Sequence, residues 1–556
     1  MRCKALGLIA CASLSLAQRL VTFQVAQPPP LPKDSRQCTI RLFEHTFANS
    51  YGAPAIVEYS PPTDCGEVGS WAGVSLNFTV TSNGTQFDRL GIFTFQNVEI
   101  WRTSTPEPSR TPEGIIWQYL KDVTRYIPLF AKSGTFVLEL DNIVQTGLDG
   151  EYASTLDATF YASSSRHPPA PKADVIIPIT TMGNNTGDDA SVPPVFSLNV
   201  SLPRNAVAAY AELQASGNGQ EEEWYYNIPN DYLPLLPPAA TQSDMAFGHG
   251  PFREVRFLVD GKVAGVAFPY PSIFSGGISP TSWKPIIAYG AMDLPTYHFD
   301  LTPFVPLLTD GTTHNISLDV ASAEEDHVIN ANWYVSGLLQ VILDASDEPT
   351  TGKITKYEVD EYADSTQTLD SSRNNTLEFT VKATRSVHIE SEIIAGSGEK
   401  TNVVFRQALA YSNTQSYLNN GSVQLSNQQS SGTVSSTHNG RVVLKDDFVY
   451  PLSVNTTFTD ANFSDWQTWT DHSYNRELLP APFLLSTTIA EHQVAGGNFS
   501  VRSTGNVGSN GTSENTFSYV DTKGNTYKQS VTAFENTITS NVESGSLAPS
   551  PLPRAN

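Results

Sequence analysis

Apolar and polar side chains alternate with a period of two through much of the chain. The clearest examples lie at residues 196–202, 315–320 and 377–382, where every second residue is apolar. Successive side chains of a strand point to opposite faces of a sheet, so this pattern predicts half-buried antiparallel strands. An Asp260-Gly261 pair between two such runs predicts a β-hairpin. Helical periodicity is scarce, with residues 115–120 the main candidate for a helical turn or two. The fold is therefore expected to be all-β, built of packed sandwiches.

Proline-rich stretches at 163–174 and 344–352 suggest how the chain is divided. Proline cannot donate to a sheet ladder and favours extended spacers. We place one β-sandwich at 36–166, a second at 172–344 and a C-terminal β-rich domain at 353–545. The last of these is rich in Ser, Thr and Asn, which is typical of a solvated β domain. The tail, 546–556, is expected to be disordered.

The first 17 residues have the features of a secretory signal. A short basic start precedes an apolar run at 5–16 and small residues near Ala17. We therefore expect the protein to be secreted and extracellular. Without that segment only Cys38 and Cys65 remain, and an even pair in a secreted chain predicts one disulfide. Several Asn-x-Ser/Thr sequons, such as Asn199, fit the same compartment.

The chain carries a formal net charge of −23. Such a chain repels nucleic acid and anionic membranes, so neither is an expected partner. No further apolar run is long enough to be a membrane helix. We expect no metal and no other cofactor, because the His residues are scattered and zinc-type Cys clusters and a P-loop are missing from the sequence.

An acid and a base lie side by side where an apolar, strand-like run begins. Asp88 and Arg89 precede Leu90, Gly91 and Ile92, and a second Arg, aromatic residues and prolines follow in 99–108. An Asp-Arg pair is common by itself. The long and unusual run that this pair opens makes the stretch distinctive.

Three acids meet aromatic residues in the stretch 217–227. Glu222 is the central acid, and Trp224 follows closely after a Gly-rich turn. Aromatic rings pack on the apolar face of a sugar, and carboxylates accept its hydroxyls or act as acid or base. The alternative is a solvated acidic loop, which is the commoner fate of a charge run.

Two further candidates lie in the same half of the chain. Glu254 stands at the mouth of a strand after a Gly-rich loop, and the alternative is an exposed strand-end acid. Trp283 belongs to a loop rich in Pro, Gly and aromatic residues, which can build a pocket. It is either a platform for a sugar or a plug at the edge of the sandwich.

Taken together, these motifs resemble the plant and fungal peptide N-glycosidase A family. The order of the motifs is that of the family, and the likeness runs from about residue 42 to 343 and more faintly beyond. The stretches that carry it are 87–89, 102–108, 114–117, 121–126, 224–227, 252–255, 259–261, 274–277 and 283–285.

The resemblance implies an amidase that cleaves the bond between the innermost N-acetylglucosamine and Asn, turning that Asn into Asp. It also implies two tandem jelly-roll-like β-sandwiches with the site between them, as in a distantly similar bacterial enzyme. Asp88 then inherits the leading catalytic role. Glu254 is the best match for the second-domain Glu, with Glu222 as the fallback. A further bacterial carboxylate has Leu120 in its place here.

The expected substrate is an N-glycosylated peptide or protein. In this interpretation Asp88 activates a water or attacks directly, and Arg89 orients or charge-balances it. Glu254 holds the sugar or protonates the departing nitrogen, and Glu222, Trp224 and Trp283 contribute to substrate binding. Two alternatives stay open: a non-catalytic glycan-binding β protein, and a glycoside hydrolase that uses Asp88 and Glu254 as its carboxylate pair.

Overall fold

Antiparallel strands form nearly all of the regular structure, which confirms the all-β prediction. The structure is a computed structural model that describes residues 19–108, 113–183, 186–237, 240, 247–373, 375–502 and 505–549. The predicted signal segment, 1–17, and residues 550–556 of the predicted tail lie outside the described residues. Within the described ranges, no helix is long and apolar enough to cross a membrane.

Two facing sheets, here called the first pair of sheets, form the N-terminal part. One has the order β1-β8-β5-β10-β3 and the other β4-β9-β6-β7. Their inner faces meet in an aromatic core, where Phe78 packs edge-on against Phe93 at 5.1 Å between ring centroids. The elements are β1 (Leu20–Val21), β2 (Phe23–Gln24), β3 (Gln37–Phe47), β4 (Ala55–Tyr59), β5 (Gly73–Ser82), β6 (Leu90–Phe95), β7 (Val98–Ser104), β8 (Ile115–Asp122), α1 (Ile127–Phe130), β9 (Gly134–Leu140) and β10 (Tyr152–Tyr161).

A second pair of sheets follows. The order β11-β20-β14-β18, with β12 also on β20, faces the order β13-β19-β15-β16. Phe257 and Phe299 join the two faces, with ring centroids 6.3 Å apart. The elements are β11 (Val175–Ile179), β12 (Ala190–Val192), β13 (Phe196–Val200), β14 (Ala206–Asn218), β15 (Glu254–Val259), β16 (Lys262–Ala267), β17 (Ile286–Ile287), β18 (Tyr297–Asp300), α2 (Val305–Leu308), β19 (His314–Ala321) and β20 (Asn332–Leu343).

The C-terminal sheet is a single antiparallel meander of eleven strands. Its strands follow one another in chain order, except that β22 pairs with β23 on the side of β21. One face is buried against the second pair of sheets, with which it shares one apolar core. The strands are β21 (Thr351–Val359), β22 (Asp364–Ser371), β23 (Leu377–Ile394), β24 (Lys400–Leu418), β25 (Val423–His438), β26 (Arg441–Phe458), β27 (Asp465–Leu479), β28 (Thr487–Ser500), β29 (Val507–Asp521), β30 (Thr526–Phe534) and β31 (Thr537–Ser544).

Several local predictions can be compared with these elements. The hairpin is confirmed: β15 and β16 are joined at Asp260 and Gly261, both with positive φ. The Cys38–Cys65 disulfide is also confirmed, with Cα atoms 5.8 Å apart. The suggestion of a helical turn at 115–120 is wrong, because that segment is strand β8 and pairs with β5. The start of the predicted tail is packed, since Leu547 is buried and its N–H donates to a carbonyl at the start of β30.

Candidate active site

A cavity of about 1210 Å³ opens where the two pairs of sheets and the C-terminal sheet meet. The first pair contributes the segment around Asp88, and the second contributes residues after β14 and the loop that precedes β17. The C-terminal sheet closes one side. Its lining includes Phe87, Asp88, Arg89, Glu107, Glu139, Asp141, Asp189, Glu222, Glu223, Tyr226, Gly276, Ile278, Lys284, Trp466, Phe499, Asn506 and Asn536.

Asp88 lies in the loop that leads into β6, and its neighbours hold that loop in place. The Tyr152 hydroxyl donates to the carbonyl of Phe87 at 2.6 Å. The backbone N–H of Arg89 donates to Oγ1 of Thr105 at 2.9 Å. Because hydrogen bonds fix the residues on both sides of it, the Asp88 side chain is directed into the cavity.

The Asp88 carboxylate, from the first pair of sheets, is held by the loop before β17, from the second. Its Oδ2 accepts the backbone N–H of Gly276 and the Ser275 hydroxyl, the latter at 3.3 Å. A Cβ at position 276 would lie 3.0 Å from Asp88 Oδ2 and 2.9 Å from Glu107 Oε1. Glycine at this position therefore leaves room for both carboxylates beside the backbone donor to Asp88.

The three acids after β14 take different directions. Glu221 ends a backbone turn at Gly219–Glu221, and a second turn at Trp224–Tyr226 follows Glu223. Glu221 points inward and pairs with Arg253, with a 2.5 Å contact between Oε2 and Nε, and both side chains are fully buried. Glu222 and Glu223 line the cavity. The run is therefore one structural acid followed by two cavity acids.

Glu223 is bound by the same loop that holds Asp88. The backbone N–H of Ile278 donates to its Oε1 at 2.8 Å. Ile278 has a φ of 60°, which a β-branched residue rarely adopts. Its carbonyl accepts the indole N–H of Trp466 at 3.1 Å. One short loop thus presents two backbone donors to two carboxylates from different pairs of sheets.

The cavity carboxylates have perturbed pKa values. Burial raises the pKa of Asp88, although Gly276, Ser275, Arg89 and Lys284 act against this. Burial raises the pKa of Glu222 well above its usual value, and the charges of Asp88 and Glu223 raise it further. Burial raises the pKa of Glu223 to about 7 in spite of the Ile278 hydrogen bond.

Burial raises all three pKa values, but the other influences on Asp88 and Glu222 differ, which suggests different roles. Asp88 has donors and cations that favour its ionised form, whereas each cause acting on Glu222 favours the protonated form. Environments that push two nearby titratable groups apart are the usual basis of an acid and base pair. The arrangement can therefore hold Asp88 as a carboxylate and Glu222 as a carboxylic acid at the same pH.

Glu254 does not line this cavity. It is buried at the start of β15, where its Oε1 accepts the backbone N–H of Ala363 at 3.1 Å. Arg385, from β23 of the C-terminal sheet, lies 3.9 Å from its Oε2. The sequence-based pairing of Asp88 with Glu254 is therefore not supported by the geometry, because Glu254 faces the contact between the second pair of sheets and the C-terminal sheet.

Neither of the two predicted tryptophan platforms reaches the cavity. Trp224 is buried and packs against Trp333, with centroids 6.3 Å apart. Trp283 is fully buried and donates its indole N–H to the carbonyl of Gly277 at 3.0 Å. Neither ring has a free face for a sugar, and Trp283 instead stabilises the loop that holds Asp88.

Arg89 and Glu222 do line the cavity. Arg89 is oriented by a 2.8 Å hydrogen bond from its Nη2 to Oε1 of Gln86. Sequence reasoning missed Glu107, Lys284 and Trp466. The first two lie inside the motifs that carry the family likeness, but nothing in their local pattern separates them from ordinary surface charges.

A second acidic group lies elsewhere in the wall of the same cavity. It consists of Glu139, Asp141 and Asp189. Burial and then the charge of Asp189 raise the pKa of Glu139 to about 7. Burial raises the pKa of Asp189 to about 6, although Arg102 opposes the shift. In the described ranges, no group of three or more His, Cys, Asp and Glu side chains is arranged to hold a metal ion.

Comparison with known proteins agrees with the resemblance seen in the motifs. Residues 27–360 match the family model described as peptide N-acetyl-beta-D-glucosaminyl asparaginase amidase A, and residues 378–452 match its C-terminal domain. A relative from Prunus dulcis, peptide-N4-(N-acetyl-beta-glucosaminyl)asparagine amidase A, is 32% identical over 428 residues. The match covers 74% of this chain and 72% of the relative. The chain therefore belongs to the peptide N-acetyl-beta-D-glucosaminyl asparaginase amidase A family.

Proposed function

We propose that this protein is an amidase that removes N-linked glycans from glycosylated peptides or proteins. It hydrolyses the bond between the innermost N-acetylglucosamine and the Asn side chain, leaving Asp. Family membership supports the reaction class. The observation that carries the assignment of residues is that Asp88 and Glu222, from different domains, line one cavity and that the charge of Asp88 raises the pKa of Glu222.

Asp88 is the general base in this mechanism. Its ionised form is favoured by the Gly276 N–H, the Ser275 hydroxyl and the positive charge of Arg89. The carboxylate removes a proton from a water molecule, and the resulting hydroxide attacks the carbonyl carbon of the glycosylated Asn side chain. The carbonyl oxygen becomes negative in the tetrahedral intermediate, and Arg89 and Lys284 are the cavity cations that can stabilise it.

Glu222 is the general acid. The carbon–nitrogen bond breaks as Glu222 gives its proton to the nitrogen, which leaves with the glycan as a glycosylamine. The carbonyl carbon keeps the oxygen from water, so the peptide now contains Asp. Asp88 then releases its proton to solvent, and Glu222 takes up a proton from solvent. Both groups have then returned to their starting states. Glu223 keeps Glu222 protonated through charge repulsion.

Product analysis in ¹⁸O-labelled water tests this proposal. A synthetic N-glycopeptide is incubated with the purified protein, and peptide and sugar are examined by mass spectrometry. The amidase puts one labelled oxygen into the new Asp and releases an intact glycan. Label in a sugar hydroxyl with Asn still glycosylated would instead indicate a glycoside hydrolase. An unchanged glycopeptide at every pH would indicate a glycan-binding protein.

We further propose that the protein is exported and that residues 1–17 are removed. The buried Cys65 sulfur and its disulfide to Cys38 are consistent with an oxidising compartment. Expression of the full chain in a eukaryotic secretory host, followed by N-terminal sequencing of protein from the medium, tests this. Retention of the full chain inside the cell would contradict it.

A further inference from the structure

Two aromatic side chains of the C-terminal sheet line the same cavity as Asp88, Glu222 and Glu223. Trp466 on β27 and Phe499 on β28 are direct cross-strand partners. Their ring centroids are 5.0 Å apart, and the ring planes are inclined by 50°. Both side chains are only partly buried. They therefore present apolar ring surface to the cavity at a place where a ligand can reach it.

This aromatic pair is close to the proposed chemistry. The Trp466 indole N–H is hydrogen-bonded to the carbonyl of Ile278, and the N–H of Ile278 is hydrogen-bonded to Glu223. One residue of the loop therefore separates the indole from a cavity carboxylate.

Close packing fixes the pair relative to the loop. Thr281, in the turn Pro280–Trp283, donates its hydroxyl to the carbonyl of Asn498 at 3.1 Å. It fits against Gly508 and Gly511, where an added Cβ would come within 2.1 Å and 2.4 Å of Thr281 atoms. Glycines in β29 thus allow the loop before β17 to dock directly on the C-terminal sheet, so the aromatic rings keep a defined position.

The chemistry of this part of the cavity suits a sugar. A pyranose has an apolar face that packs on aromatic rings and a rim of hydroxyls that needs hydrogen-bonding partners. Asn506 and Asn536, also from the C-terminal sheet and its turns, line the cavity and can supply amide donors and acceptors. A peptide side chain would not need this combination of flat apolar surface and amides.

We infer that Trp466 and Phe499 form a subsite for a pyranose ring of the glycan, so that the C-terminal sheet takes part in recognising the substrate. The role of this subsite in hydrolysis rests on the proposed amidase function. Glycan binding at the two rings does not rest on that function, because binding requires no bond to break.

Binding of a free oligosaccharide tests the subsite. The probe is the trimannosyl-diacetylchitobiose core, measured by isothermal titration calorimetry against the wild type and the Phe499→Leu variant. We expect Phe499→Leu to bind about tenfold more weakly, which corresponds to about 1.4 kcal/mol. The matched control is Trp469→Leu, three residues along β27 on the opposite, solvent-facing side and 55% exposed, which should bind like the wild type. Equal binding by Phe499→Leu and the wild type would overturn the inference.

A footprinting measurement on the wild type avoids dependence on a variant that fails to fold. Hydroxyl-radical oxidation is mapped by mass spectrometry with and without the same oligosaccharide. We expect protection of Trp466 and none of Trp469. Equal oxidation of Trp466 in both samples would refute the subsite.

Kinetics with a glycopeptide separate this inference from the proposed function. Phe499→Leu should raise KM by about tenfold and leave kcat within about twofold. Glycan binding that depends on Phe499, without any conversion of Asn to Asp, would refute the proposed amidase function and support the subsite. Conversion of Asn to Asp with the same KM in the wild type and Phe499→Leu would support the amidase function and refute the subsite.

Discussion

The carboxylate of Asp88, from the first pair of sheets, accepts the backbone N–H of Gly276, from the second. The proposed base is therefore positioned by a main-chain group of another domain. Glu107, which follows β7, lies close to the same glycine. A change in how the two pairs of sheets pack would consequently move the donor away from the base.

Gly276→Ala should reduce kcat by about 10- to 100-fold, because displacing a reacting group by about 1 Å has effects of that size. The added methyl group would come within 3.0 Å of Asp88 Oδ2 and push the carboxylate from its donor. The variant should still unfold at nearly the wild-type temperature, since it changes a cavity wall and not the core. Steady-state kinetics beside thermal unfolding checks both. Wild-type kcat would show that the Gly276 contact is not needed.

Glu222→Gln and Glu254→Gln distinguish the two candidates for the second carboxylate. Glu222→Gln should lower kcat by about 10²- to 10⁴-fold, the usual contribution of a general acid. Glu254→Gln should leave kcat within about twofold, because Glu254 contacts Ala363 and Arg385 outside the cavity. Measured kcat values for the pair decide the matter. The reverse order of effects would return the acid role to Glu254.

Activity should follow a bell-shaped pH profile. The acidic limb should lie above the ordinary pKa of Asp, because burial raises the pKa of Asp88, which must be ionised to act as base. The alkaline limb should lie well above the ordinary pKa of Glu, because Glu222 must be protonated to act as the acid, and burial and the charges of Asp88 and Glu223 raise its pKa.

Glu223→Gln should move the alkaline limb to lower pH. The charge of Glu223 is one of the causes that raise the pKa of Glu222, so its removal lets Glu222 ionise sooner. The profile of kcat against pH for the variant and the wild type checks this. A limb that stays in place would mean that the titrating acid is not Glu222.

Much of the fold could be predicted from sequence because it depends on local pattern. The alternation at 377–382 and the Asp260-Gly261 turn each correspond to the expected strand and hairpin. The prediction of a helical turn at 115–120 was wrong. The apolar residues Ile115, Ile116 and Trp117 are adjacent there, and so short an apolar run does not distinguish a strand from a helix. Its pairing with β5 is a long-range contact that no local signal reveals.

The site was less predictable, since it is made by contacts between distant segments. Asp88 lies in a motif that carries the family likeness and Glu222 just before another, and both line the cavity. Glu254 has the same strand-mouth context as Asp88, but the C-terminal sheet covers it. Trp466 could not be identified from the sequence. Its place in the cavity depends on where the C-terminal sheet, far along the chain, contacts the loop before β17.

Removal of one partner of the buried Glu221–Arg253 pair should destabilise the region around the site. Both side chains are fully buried, and Trp333 also donates to Glu221 at 2.8 Å. Arg253→Met leaves a buried charge without its partner, so the free energy of unfolding should fall by about 3–5 kcal/mol. Urea unfolding measures it. Arg41→Met, which breaks an exposed pair with Asp157, is the control and should cost less than about 1 kcal/mol. Equal losses would contradict this account.

The most direct test of the central claim compares the wild type with Asp88→Asn on one defined N-glycopeptide. The substitution keeps the size of the side chain but cannot take a proton from water. Mass spectrometry should show complete conversion of the glycosylated Asn to Asp by the wild type. It should show a loss of rate of at least about 10³-fold in the variant, with an unchanged unfolding temperature. Conversion at the wild-type rate by Asp88→Asn would contradict the role assigned to this carboxylate.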